Sequence, residues 1–78
     1  MSPTLVTLIE FYRHAVEAAV AVAAPPGAPP CPPGQAILWA DAGELEGWLS
    51  EGQATEIRRL AARLRFYEER AGGLGSRV

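Results

Sequence analysis

Residues 51–71 read EGQATEIRRLAARLRFYEERA, and this stretch decides the fold. An α-helix advances by about 100° per residue, so positions i, i+3, i+4 and i+7 share a face. Ile57, Leu60, Ala61, Leu64, Tyr67 and Ala71 fall on one such face. Ser50, with Gln53 three residues on, has the spacing of a capping box. Gly72 and Gly73 suit the left-handed conformation that closes a helix. Alanine, arginine, leucine and glutamate dominate the interior, all good helix formers. The pattern predicts a helix over residues 51–71 and a flexible tail over 72–78.

The opposite face carries Arg59, Arg63, Phe66 and Arg70, at spacings of four, three and four. Phe66 therefore points away from the Ile57–Leu64 side. Two readings stand for it. It packs under the Pro-rich segment or the first helix, or it belongs to an exposed aromatic–arginine patch. The latter composition is enriched at the centres of protein interfaces.

Upstream, Asp41 and Glu44 have a second capping-box spacing. They predict a short helix over 42–50, with Leu45, Trp48 and Leu49 as its apolar face. Gly43 and Gly47 weaken that helix by about 1 kcal/mol each. The apolar run over 35–40 reads as a short strand or as the lead-in to this helix; periodicity does not separate the two. Residues 25–34, PPGAPPCPPG, hold six of the seven prolines. Proline lacks an N–H and disfavours helix in the residue before it, so the segment is expected to be extended and semi-rigid. A stiff connector is the favoured role, a PxxP ligand the functional alternative.

A first helix is predicted over 3–23. Ser2 is its cap and Pro3 its first residue. Leu5, Leu8, Ile9, Tyr12, Val16, Ala19, Val20 and Ala23 form its apolar stripe, with Glu10, His14 and Glu17 opposite. The fold class is therefore all-α: two long helices and one short helix with a Pro-rich connector. The alternative is α+β, with a short hairpin formed by residues 16–23 and 35–40.

At 78 residues the chain makes one domain. Such a chain buries only about 60% of its unfolded surface. Leu38 and Leu45 join Trp39, Trp48, Ile57, Leu60 and Leu64 among the few large core candidates. A change such as Leu60→Ala costs about 2–5 kcal/mol. Association with itself or a partner would relieve that weakness.

The net charge of −2 argues against a general nucleic-acid binder. All seven cations are arginine. With the abundant Ala, Gly and Pro, this points to a GC-rich coding sequence of bacterial or phage origin. The charges are segregated. Residues 41–56 hold Asp41, Glu44, Glu46, Glu51 and Glu56 without a base, and residues 58–70 hold five arginines against Glu68 and Glu69. In a helix-turn-helix reading, Arg58, Arg59, Arg63, Arg65 and Arg70 would meet DNA. The acidic helix before them would face phosphates badly, and the middle of the last helix has no Asn or Gln reader.

One histidine and one cysteine are too few for a catalytic set. His14 lies near Glu10 and Glu17 on a solvated face, short of a metal ligand set. Cys31 has no neighbour that would lower its pKa. No phosphate loop or nucleophilic triad can be assembled. No enzyme activity, metal or cofactor is expected. The start of the chain has no basic region ahead of an apolar run, so a signal peptide is not expected. The apolar stretch 4–24 is too polar for a membrane span. A cytoplasmic protein is expected.

This format resembles that of anti-CRISPR proteins, small inhibitors encoded by phages and mobile elements. The likeness lies in a small single domain, no catalytic set, and segregated patches over 41–56 and 58–70. The resemblance implies stoichiometric binding to a nucleic-acid-targeting effector complex. The reading is thus a non-enzymatic protein-binding inhibitor or adaptor, with Arg59, Arg63, Phe66, Arg70, Glu44, Glu46 and Glu51 as candidate contacts. The alternatives are a small nucleic-acid-binding regulator or antitoxin using the Arg-rich helix, and a homo-oligomeric structural subunit, a homodimer being the simplest form.

Overall fold

A computed structural model describes residues 4–75, with side chains described to residue 72. Three helices follow one another: α1, Leu5–Ala23; α2, Ala36–Glu46; and α3, Glu51–Gly75. The fold is all-α. Residues 16–23 are helical and Ala36 opens a helix, so the alternative hairpin does not form.

Thr4 caps α1: its Oγ1 accepts from the Thr7 N–H at 3.1 Å. The expected cap, Ser2, lies outside the described residues. At the other end Pro25 holds Ala24 in an extended conformation, and the Ala24 N–H makes the last bond, to the Val20 carbonyl.

The connector is not simply extended. The Ala28 N–H donates to the Pro25 carbonyl at 3.0 Å and the Gln35 N–H to the Pro32 carbonyl at 3.1 Å. Each closes a Pro-Pro-Gly-X turn whose glycine, Gly27 or Gly34, has positive φ. Proline at the second and glycine at the third position is the chemistry of a type II turn. The two near-repeats thus bend the chain twice. Between them Trp39 Nε1 donates to the Pro29 carbonyl at 2.8 Å, fastening the connector to α2.

α2 starts six residues before the predicted position and ends earlier. Asp41 is not its cap but an interior residue whose carboxylate accepts from Arg58. Gly47, at φ 88°, terminates the helix in the left-handed region. Trp48 and Leu49 therefore leave the helix and fold back, their N–H groups donating to the Gly43 carbonyl. Gly43 is what makes this return possible. A Cβ there would sit 2.6 Å from Leu49 Cγ and 2.8 Å from Trp48 Cζ3. Gly43, expected from sequence to weaken the helix, is thus required by the packing of Leu49 and Trp48 against it.

α3 begins as expected. The Gln53 N–H donates to Ser50 Oγ, and the Ser50 N–H donates to Gln53 Oε1. Gly72 and Gly73 do not end it; it runs on to Gly75, so the predicted tail is helical over its first four residues. Residues 76–78 lie outside the described residues.

α3 is the central element, on which both other helices pack. Ala36, Trp39, Ala40 and Gly43 form one face of α2 at spacings of three, one and three. They meet Ala54, Ile57 and Ala61 of α3, and Leu49 and Val16 complete the buried core. Small residues at these positions let the backbones approach closely. Leu38 and Leu45 are not core residues: they are 65% and 88% exposed on the outer side of α2.

Candidate protein-binding surface

The geometry of the surface follows from one pair. Tyr12 of α1 and Tyr67 of α3 stack across the helix interface with centroids 5.7 Å apart. The residue after each tyrosine, Arg13 and Glu68, forms an ion pair at 3.7 Å. At 100° per residue in an antiparallel pair, the residues before each tyrosine fall on the opposite flank. These are Phe11 and Phe66.

The flank with Arg13 and Glu68 is the one that the connector and α2 approach. A groove of about 650 Å³ remains there, walled by Val16, Val20, Leu64, Cys31 and Pro32 among others. Cys31 is half-buried, and burial pushes its thiol pKa up.

Among the described residues the other flank is bare. On α1 it presents Phe11, Ala15, Ala18 and Val22, with Phe11 62% and Val22 85% exposed. On α3, helical spacing brings Gly52, Glu56, Arg59, Arg63, Phe66 and Arg70 to this side. Between the rows runs a shallow groove of about 520 Å³, lined by Ala15, Ala18, Val22, Gly52, Glu56 and Leu60 among others.

Phe66 is 46% exposed. It meets Tyr67 edge-on, with centroids 5.3 Å apart. The Arg70 guanidinium carbon lies 5.2 Å from the Phe66 ring centroid, within cation–π range. Phe11 meets Tyr12 in the same edge-on way at 5.0 Å. Four rings, Phe11–Tyr12–Tyr67–Phe66, thus form a continuous chain across the helix pair. Only the outer two reach the bare flank.

The charges on this flank are mostly positive. Arg59 pairs with Glu56. Arg63 and Arg70 have no carboxylate partner among the described residues.

The candidate contacts separate into two groups. Arg59, Arg63, Phe66 and Arg70 share the bare flank. The acidic candidates lie elsewhere: Glu44 and Glu46 on α2, Glu51 in the first turn of α3. Glu44 has an internal role, accepting from Arg58 at 2.8 Å while Asp41 accepts from the same guanidinium at 2.9 Å. This fork holds α2 to α3, and the two carboxylates raise the Arg58 pKa. Glu46 Oε1 accepts from Trp48 Nε1 at 3.3 Å. Sequence reasoning missed Phe11. Its signal was an aromatic residue lying off the apolar stripe of α1, the same anomaly that drew attention to Phe66.

Among the described residues no three His, Cys, Asp or Glu side chains are placed to hold a metal ion. Nor is any described helix long and apolar enough to cross a membrane. Comparisons with protein-family models, curated proteins and solved structures return no match.

Proposed function

We propose that the chain is a non-enzymatic protein-binding inhibitor or adaptor that engages its target through the bare flank of α1 and α3. The observation that carries this reading is the pairing of exposed Phe11 and Phe66 with Arg59, Arg63 and Arg70 on one surface. Aromatic and arginine anchors supply most of the energy of many interfaces. The sequence motive for a nucleic-acid reader is weaker in this setting. Arg58 is committed to Asp41 and Glu44, and Arg65 pairs with Glu69, so fewer arginines of α3 stand ready for phosphates.

The test is affinity capture from cells that encode the chain, with wild type, Phe66→Asp and Glu51→Arg as parallel baits. The expected result is one protein retained in stoichiometric amount by wild type and Glu51→Arg, and absent with Phe66→Asp. A partner kept by Phe66→Asp and lost with Glu51→Arg would move the contact to the acidic side. Nucleic acid retained in place of protein would overturn the reading.

A further inference from the structure

The molecule carries a second exposed surface that mirrors the first. On the outer side of α2, Leu38 and Leu45 lie seven residues apart and therefore on one face, 65% and 88% exposed. Asp41 lies beside them on the same side and Glu46 follows Leu45, both exposed. Arg58 pairs with Asp41, whereas Glu46 has no basic partner among the described residues. The bare flank offers the converse: apolar Phe11, Val22 and Phe66 beside Arg63 and Arg70. One surface is leucine with carboxylate, the other aromatic with guanidinium. Each has what the other lacks, and they lie on different sides of α3. In a chain this small, solitary exposed apolar residues are ordinary, whereas two charge-matched apolar surfaces are the composition of an interface.

We propose that the chain self-associates head to tail, the α2 face of one copy seating on the bare flank of the next. The two surfaces differ, so the contact is heterologous. Repetition builds rings or open chains, not a symmetric pair. The proposal rests on the reading of the bare flank as an interface and names one occupant for it. A foreign partner with an acidic, leucine-bearing helix would compete with the second copy for the same flank.

A heterologous contact makes a prediction that a symmetric one does not. Leu45→Asp spoils the α2 face and leaves the bare flank intact. Phe66→Asp does the reverse. In sedimentation velocity at low salt, wild type should gain mass with concentration beyond its 8.3 kDa monomer. Each variant alone should associate at least about tenfold more weakly, as when an interface hot spot is lost. Mixed one to one, the two variants should form a dimer that grows no further. Glu46→Arg and Arg63→Glu, both at exposed positions, form a second pair with the same logic and guard against a folding defect in the first. The proposal is overturned if wild type stays monomeric, if the mixed variants stay monomeric, or if Leu45→Asp associates like wild type. A monomeric wild type whose foreign partner is lost with Phe66→Asp would refute self-association alone. A partner indifferent to Phe66→Asp would refute the bare flank itself.

Discussion

Tyr12 and Tyr67 stack with their ring planes 28° apart, and this contact sets which residues of α1 and α3 face outward. The pair joins the two longest helices, and it places Phe11 and Phe66 on one flank and Arg13 and Glu68 on the other. The stacked tyrosines and the exposed phenylalanines are thereby a single position apart along each helix. Tyr67→Ala should lower unfolding free energy by about 3 kcal/mol, near the lower end for loss of a large aromatic side chain because Tyr67 is only half-buried. Urea denaturation followed by tryptophan fluorescence measures it.

Gly43→Ala and Gly72→Ala are the same substitution in two environments. At Gly43 the new methyl group would collide with Leu49 and Trp48, and overpacking of this kind costs about 1–3 kcal/mol. That exceeds the gain of about 1 kcal/mol in helix propensity. At Gly72 a Cβ meets nothing within 4 Å. Gly43→Ala should therefore destabilise and Gly72→Ala should stabilise, as read by the midpoints of urea unfolding.

Trp39→Phe should keep most of the apolar packing and lose the bond to the Pro29 carbonyl. The expected loss is about 1–3 kcal/mol, since the acceptor is left without its donor. Amide hydrogen exchange should show faster opening around Ala28 and Gln35, where the two turns close.

The helices were legible where periodicity was long and ends were chemically marked. Ser50 and Gln53 announced the start of α3 and both bonds form. The start of α2 was misread because Asp41 and Glu44 imitate a capping box while serving Arg58, seventeen and fourteen residues away. A sequence window does not see such a partner. The same blindness applied to Leu45, Trp48 and Leu49. They look like one helical face, yet Gly47 turns the chain and sends two inward and one outward. At the candidate surface, Arg59, Arg63, Phe66 and Arg70 were legible as one stripe of one helix. Phe11 was not tied to them, because the link runs through the Tyr12–Tyr67 contact between helices.

Burial raises the Cys31 pKa above its ordinary value of 9.0. The unfolded chain therefore loses the thiol proton at a lower pH than the folded chain. The contribution of Cys31 to stability is constant below about pH 9 and is lost as pH rises through the folded-state pKa. Unfolding at pH 8, 9 and 10 should show an alkaline decline that is reduced in Cys31→Ala. Iodoacetamide should alkylate the folded chain more slowly at pH 8 than the chain in urea.

Arg58→Gln should loosen α2 from α3, because one guanidinium holds both Asp41 and Glu44. Hydrogen exchange should quicken along Ala36–Glu46 more than along Leu5–Ala23. Added salt should weaken the wild-type contact and change the variant less.

The claim that Phe66 serves recognition and not the core is tested most directly by measuring Phe66→Ala twice on one preparation, by urea unfolding and by binding in sedimentation. A buried phenylalanine would cost about 3–5 kcal/mol on truncation. At 46% exposure the loss of stability should stay below about 1.5 kcal/mol, while association falls at least about tenfold. A large loss of stability with binding unchanged would contradict the account.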